Sequence, residues 1–169
     1  MVPFKWIIIL SASEVIALRV IHSLEELDDS LGRPLAVSDW FEVDQQRIDA
    51  FATVTGDRQW IHCDVERAVS ESPYGTTIAH GYLVLSLIVT MAESCYRIDG
   101  FSSKLNYGLN RARFIQPVPC GSRVRARFVP QAIHYKGEGR YQLVTDVAIE
   151  LEDRQEPACV AQSLTLLMP

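Results

Sequence analysis

The segment from Ile78 to about Tyr96 constrains the fold more than any other part of the sequence. It contains no Asp, Glu, Lys or Arg before Glu93. A helix that is apolar on nearly all sides is usually buried inside a protein. A membrane span needs about 20 apolar residues, and His80 and Glu93 leave the purely apolar part shorter than that. We therefore predict a buried central helix and no membrane-spanning segment.

The sequence before this segment predicts short helices separated by loops. Ser23 and Glu26 form a capping box at the start of a first helix. Asp44 is typical of the N-cap of a second helix, and Gly56 is typical of the residue just after its end. This assignment places Asp57 at the start of a loop, immediately after the second helix.

The other segments predict an antiparallel sheet. Apolar and polar residues alternate, and turns rich in Gly and Pro separate the extended segments. Long antiparallel strands that follow one buried helix are typical of an α+β domain in which a curved sheet wraps around the helix. The predicted strands are residues 34–43, 104–114, 123–135, 140–150 and 159–167.

The composition is that of one globular domain, because 48% of the 169 residues are hydrophobic. The net charge of -5 argues against a nucleic-acid partner. Four cysteines without disulfide or metal spacing favour free thiols and a cytoplasmic location. We assign residues 21–169 to the domain and residues 1–20 to an N-terminal extension of open status. Its apolar run, residues 6–10, is shorter than the roughly 7–15 residues of a secretion signal.

Asp57 and His62 are candidates for acid/base chemistry. They are five residues apart on a predicted loop, where both side chains can turn toward one point and hold a water molecule between them. A carboxylate can take a proton from that water, and an imidazole can pass one to a reacting carbon. Such work contributes on the order of 10²–10⁴-fold to a rate. The alternative is that Asp57 caps the loop and His62 packs behind Trp60.

Gly81 and His80 lie where the central helix is expected to begin. Unpaired N–H groups at a helix N-terminus stabilise negative charge, and a glycine lets a carbonyl group approach closely. Gly81 is therefore a candidate oxyanion donor. The alternative is close packing of its backbone against the sheet. We expect His80 to be a buried histidine that makes a supporting hydrogen bond.

A metal site and a thiol nucleophile are weaker interpretations of the same region. His62, Cys63, Asp64 and His80 lack the tight Cys and His spacing of structural zinc sites, so we expect no metal. Adjacent residues on an extended loop point apart, which disfavours a pair of Cys63 with His62.

Arginines on the predicted strands are candidates for a basic patch that binds phosphate groups. Arg111 and Arg113 follow the central helix, and Arg123, Arg125 and Arg127 alternate along the next strand. The alternative is that they form the solvated face of the sheet.

The residues around the candidate site resemble the MaoC-like, R-specific enoyl-CoA hydratases, also called hydratase 2. That family has an Asp, then Asn-Pro, then a His five residues after the Asp, and a downstream Ala-His-Gly that opens the central helix. Asp57, His62 and residues 78–81 match this pattern, and residues 114–118 look like its Phe-x-x-Pro-Val. The resemblance covers roughly residues 35–168.

A narrower resemblance is to the nodulation protein N-like branch, carried by residues 55–62 and 106–110. One departure is that Gln59-Trp60 replaces the family's Asn-Pro. The Asp-to-His spacing survives, and Trp60 is expected to reshape the pocket.

The resemblance implies a single hot-dog domain, with the sheet wrapped around a helix at about residues 78–96. It implies syn addition of water to a trans-2-enoyl thioester, or the reverse dehydration. Asp57 and His62 would activate the water and move the proton, while the Gly81 N–H holds the thioester oxygen. It also implies no metal or redox cofactor, an acyl-CoA or acyl-carrier thioester as substrate, and a homodimer.

The same resemblance suggests residues that contact the substrate, with arginines near the phosphates of its carrier. These are His80, Ser86, Asn106, Arg111 and Arg113.

Two other functions stay open on the sequence. An acyl-CoA thioesterase would use the same helix start but direct its water at C1 rather than C3. A non-catalytic acyl-binding module would keep its ligand without Asp57.

Overall fold

The computed structural model describes residues 18–169, so the short apolar run at residues 6–10 lies outside the described residues. The helices are α1 Leu24–Asp29, α2 Gln45–Thr55, α3 Trp60–Cys63, α4 Val65–Glu71, α5 Gly81–Ser86 and α6 Ile88–Cys95. The strands are β1 Arg19–Ile21, β2 Ala36–Val37, β3 Phe41–Val43, β4 Tyr96–Ile98, β5 Ser103–Phe114, β6 Ser122–Tyr135, β7 Tyr141–Leu151 and β8 Pro157–Met168.

The main sheet is antiparallel and confirms the predicted α+β class. Its strands run in the order β2-β6-β7-β8-β5, and β3 pairs with β6 beyond β2. The four long strands β5 to β8 follow one another in the sequence. In the sheet, however, β5 does not pair with β6 but lies at the edge beside β8. A second, small sheet consists of β1 and β4 in parallel.

Helices α5 and α6 supply the apolar stripe that the sheet covers. Their buried side chains recur at helical spacing and share one core with residues of β6, including Val124 and Phe128. Burying a side chain the size of Leu contributes about 1.5–3 kcal/mol, so this stripe anchors the start of α5 firmly. The stripe is Leu83, Val84, Leu87, Met91 and Cys95.

The structure corrects the bounds of the predicted central helix. Ile78 precedes it and forms an isolated antiparallel bridge with Pro119, in the turn between β5 and β6. Tyr96 follows it and enters β4. Leu87 separates α5 from α6, although its own backbone stays helical and its N–H is shared between preceding carbonyl groups.

The sequence indicated a helix that is buried on nearly all sides, but the structure leaves one side exposed. Tyr82 is 69% exposed and Val89 is 40% exposed. One side of the apolar segment therefore packs in the core, and the other side lies at the surface of the chain.

The predicted helix caps are confirmed. The Ser23 side chain accepts a hydrogen bond from the Glu26 N–H at 3.1 Å. The Asp44 side chain accepts one from the Arg47 N–H at 2.9 Å. These bonds satisfy donors that a helix start leaves unpaired.

The prediction of one strand over residues 34–43 is wrong, because two short strands replace it. Between them the Ser38 N–H donates a hydrogen bond to the Ala126 carbonyl at 2.9 Å. The Ser38 hydroxyl oxygen accepts one from the Ala126 N–H, also at 2.9 Å. The side chain thus replaces a backbone acceptor. The register then shifts by one residue between the Val37 and Phe41 pairings, as in a β-bulge.

Within residues 18–169 no helix is both long enough and apolar enough to cross a membrane. All four cysteines lie in this range, and none is in a disulfide.

Candidate active site

The end of α2 delivers Asp57 to the site. Gly56 adopts a left-handed conformation with φ of 80°, and its N–H donates to the Ala52 carbonyl at 2.9 Å. Only glycine takes this conformation without strain, so the helix ends sharply here. The chain then turns, and Asp57 lies exposed at the surface.

His62 lies on α3, a single helical turn, rather than on the irregular loop that the sequence predicted. Its side chain is buried, with 7% exposure. The Nδ1 atom is 2.6 Å from the Ile78 carbonyl oxygen. A carbonyl only accepts, so Nδ1 carries the proton of the neutral ring and Nε2 keeps a free lone pair. This is the form that can act as a base.

The surroundings of His62 keep its ring neutral. Burial lowers the pKa of His62 below its usual 6.5, and the neighbouring His80 acts in the same direction. The hydrogen bond to Ile78 and the charge of Asp57 oppose this shift. A neutral imidazole near neutral pH fits the task of accepting a proton.

His80 contacts both predicted catalytic residues, Asp57 and His62. Its Nε2 lies 2.9 Å from the Asp57 carbonyl oxygen, so Nε2–H donates and the expected supporting hydrogen bond is present. Its ring stacks on His62 with centroids 3.8 Å apart. The Nδ1 atom of His80 is buried without a hydrogen-bond partner in the described part of the chain.

Asp57, His62 and His80 converge. One carboxylate oxygen and one ring nitrogen from each histidine lie within 4.8 Å of one another. Two hydrogen bonds of about 2.8 Å that meet at a water oxygen span roughly 4.6 Å, so one water molecule can bridge two of these groups. The same three side chains could also ligate a metal ion, and they lie closer together than the sequence spacing had suggested.

Gly81 is packed against the end of β5. A Cβ atom at this position would lie 3.0 Å from ring carbons of Phe114, which itself contacts Tyr82 edge-on at 5.6 Å. Close packing therefore explains the glycine, as the alternative interpretation proposed. It does not exclude a role for the Gly81 N–H, because an N–H in the first turn has no partner within its own helix.

A cavity of about 280 Å³ opens beside His62 and Gly81. Its other walls are mostly apolar, which suits a hydrocarbon chain better than a charged group. Asp57 is not among the described residues that line this cavity. The remaining lining residues are Ile78, Ala79, Val84, Phe114, Ile115, Gln116, Pro117, Val118 and Ala158.

A family model described as a MaoC like domain matches residues 26–151. This chain belongs to the MaoC-like dehydratase family. It is 41% identical to the 3-hydroxyacyl-thioester dehydratase Z of Mycobacterium tuberculosis, over 87% of this chain and 97% of that protein. It is 43% identical to nodulation protein N of Rhizobium leguminosarum bv. viciae, over 86% of this chain and 91% of that protein.

Solved structures place this MaoC-like chain in the hot-dog fold, as the sequence resemblance implied. The X-ray structure of a monoamine oxidase regulatory protein from Archaeoglobus fulgidus matches with a TM-score of 0.70. The match has 23% identity and covers 90% of this chain and 97% of that one.

Other residues that the resemblance suggested are not part of the cavity lining in the described part of the chain. Ser86 is exposed, and its hydroxyl donates to the Leu83 carbonyl at 2.7 Å. Asn106 and Arg113 are exposed on β5. Arg111 lies 3.5 Å from Asp146 of β7. Contacts of these residues with a substrate stay predictions.

The alternating arginines of β6 do not form a free basic patch. Arg125 and Arg127 both bind Glu150, at 2.7 and 3.0 Å. Arg123 binds Glu152. These contacts favour the alternative interpretation, in which the arginines form the solvated face of the sheet, and they add ion pairs that the sequence did not indicate.

Trp60 is not part of the lining of this cavity as the described residues form it, and the guanidinium of Arg67 lies 4.3 Å from the Trp60 ring centre. Its expected effect on the pocket stays a prediction.

Sequence reasoning missed Gln45 and Thr77. Gln45 looks like an ordinary residue in the first turn of α2, and Thr77 like part of a polar turn. In the structure Gln45 donates to the His62 carbonyl and Thr77 donates to Gln45. Nothing local in the sequence signals these bonds, because their partners are 17 and 32 residues away.

Proposed function

We propose that this chain is an R-specific hydratase and dehydratase of acyl thioesters. It adds water across a trans-2-enoyl thioester to give an R-3-hydroxyacyl thioester, and it catalyses the reverse. The observation that carries the proposal is the convergence of Asp57, His62 and His80 within 4.8 Å, with His62 lining an apolar cavity. Similarity to a protein named 3-hydroxyacyl-thioester dehydratase supports the reaction class.

In the proposed hydration, Asp57 and the Nε2 atom of His62 hold and deprotonate one water molecule. Its oxygen bonds to C3 while the C2–C3 π electrons move toward the thioester carbonyl. The proton then passes to C2 on the same face, so the sum is addition of one water. The Gly81 N–H stabilises the negative charge that develops on the thioester oxygen, an effect worth roughly 2.7–4 kcal/mol per donor.

The reaction as proposed uses no redox group or metal, because the thioester itself acidifies the carbon beside it. The carrier is coenzyme A or an acyl carrier protein. The apolar walls formed by Ile78, Val84 and Ala158 suit the hydrocarbon part of the acyl group. A cytoplasmic location stays a prediction.

We also propose a homodimer that forms through β5. This strand lies at the edge of the main sheet, and most of its residues are exposed. Leu105, Tyr107 and Leu109 are 45–59% exposed. A long edge strand with exposed apolar side chains is a template for pairing with a second strand. Sedimentation should show a dimer for the wild type and a smaller species for Leu109→Lys.

The function is tested by offering two substrates to the wild-type protein. With crotonyl-CoA, we expect loss of the ultraviolet enoyl band and R-3-hydroxybutyryl-CoA by chiral chromatography. With saturated butyryl-CoA, we expect no release of free thiol. Thiol release without hydration identifies a thioesterase instead. Absence of turnover with short, medium and long enoyl-CoAs, together with retained binding, identifies the acyl-binding module, which the similarity to nodulation protein N keeps in view.

A further inference from the structure

We propose that Gln45 and Thr77 are positioning residues that hold the His62 ring in its reactive orientation. The inference rests on the proposed function, because it assumes that His62 exchanges protons with the substrate. Neither Gln45 nor Thr77 is among the described residues that line the cavity. Both would therefore act through His62 rather than on the substrate.

The first observation is a chain of hydrogen bonds that ends on the backbone of His62. The Thr77 hydroxyl donates to Oε1 of Gln45 at 2.5 Å. Nε2 of Gln45 then donates to the His62 carbonyl at 2.8 Å. Thr77 is 1% exposed, so its hydroxyl would be costly to leave unpaired.

The second observation is that the neighbouring residue, Ile78, holds the ring of the same histidine. The His62 Nδ1–H donates to the Ile78 carbonyl at 2.6 Å, and the Ile78 N–H donates to the Ile61 carbonyl at 3.0 Å. Thr77 and Ile78 thus fix both the backbone and the side chain of His62. Together they define the direction of the free Nε2 lone pair.

The helix that carries His62 cannot do this alone. Helix α3 has four residues, and the side chain of its N-cap residue, Gln59, makes no capping bond. A single helical turn is marginal in isolation, so its orientation must come from contacts with other segments. A displacement of about 1 Å in a catalytic group can cost on the order of 10²-fold in rate.

The Gln45 amide has only one orientation that satisfies its neighbours. Its NH₂ group donates to the His62 carbonyl and to the Asp49 carboxylate, both at 2.8 Å. A flipped amide would place an oxygen against these two acceptors. A glutamate at this position would do the same with a full negative charge.

The test compares kcat and KM for crotonyl-CoA hydration among single variants. Thr77→Val keeps the side-chain shape but removes the hydroxyl, and Thr77→Ser keeps the hydroxyl. Gln45→Met removes the amide, and Gln46→Met changes the exposed neighbour as a matched control. We expect kcat to fall by roughly 10- to 100-fold in Thr77→Val and Gln45→Met, with KM nearly unchanged. Thr77→Ser and Gln46→Met should stay close to the wild type.

A double-mutant cycle separates positioning from a general structural role. Thr77→Val and Gln45→Met should cost little further kcat when His62 is already Gln, because they act through that ring. Full additivity in the His62→Gln background would overturn the proposal. So would wild-type kcat in folded Thr77→Val and Gln45→Met. A wild type without hydratase activity would instead refute the proposed function, which keeps the two failures distinct.

Discussion

The outer face of the sheet and the start of α5 both hold many polar groups, but they use them in opposite ways. On the outer face Arg125 and Arg127 share Glu150, and all three side chains are about one quarter exposed. Near the start of α5, His62 of α3 and His80 are at least 93% buried, and each ring makes its hydrogen bond to a backbone carbonyl.

The difference shows where loss of one polar group is expensive. Surface ion pairs contribute about 0–1 kcal/mol, because water and salt compensate for a lost partner. Buried polar groups have no such substitute, so removing one partner costs about 1–3 kcal/mol and displaces its neighbours. We therefore expect function to depend on the buried group and to tolerate changes on the outer face.

The largest effect on stability is expected at Gly81. Gly81→Ala introduces a Cβ atom 3.0 Å from the Phe114 ring, so we expect a loss of about 1–3 kcal/mol in the free energy of unfolding. Denaturant unfolding measures this loss. Adding Phe114→Leu should restore stability by making room. Because Phe114 lines the cavity, the hydration activity of the double variant is compared with that of Phe114→Leu alone. Equal activity means that packing alone requires the glycine, and a further loss in the double variant means that the substrate needs close access.

A smaller effect is expected from the pH dependence of stability. The pKa of His62 is lower in the folded protein than its usual 6.5, chiefly through burial. The unfolded chain therefore binds the proton more readily between those two pKa values. The contribution of neutral His62 to the free energy of unfolding is therefore fully present above about pH 6.5, and it is lost as the pH falls through the folded-state pKa. Unfolding in guanidinium at several pH values should show this loss in the wild type. A curve in His62→Gln that is equally steep would contradict the assignment.

The smallest effect is expected on the outer face. Arg127→Gln removes one partner of Glu150, but Arg125 remains paired with it. We expect a change of about 0–1 kcal/mol in the free energy of unfolding and an unchanged kcat. Thermal unfolding and the crotonyl-CoA assay measure the two quantities. A large loss of kcat here would show that the outer face contributes to the site after all.

The accuracy of the sequence predictions follows the range of the interactions. The caps at Ser23 and Asp44, and the helix end at Gly56, depend on neighbouring residues and were predicted correctly. The pairing of Asp57 with His62 came from a short spacing and a family resemblance, and the structure brings the two side chains together.

Features that depend on distant segments were not accessible from the sequence. The ends of the central helix are set by pairing of Ile78 with Pro119 and of Tyr96 with Arg19. Gln45 and Thr77 became visible only when their hydrogen bonds with each other and with His62 were known. A polar residue in a helix start or a turn has many ordinary explanations, and only its partner decides among them.

The most direct test of the central claim is the rate at which crotonyl-CoA loses its enoyl absorption with four proteins. These are the wild type, Asp57→Asn, His62→Gln and, as a matched control, His134→Gln on the exposed part of β6. We predict hydration by the wild type and by the His134 variant. We predict losses on the order of 10²–10⁴-fold or more in the other two. Hydration at the wild-type rate by folded Asp57→Asn and His62→Gln proteins would contradict the claim that this pair performs the acid/base chemistry.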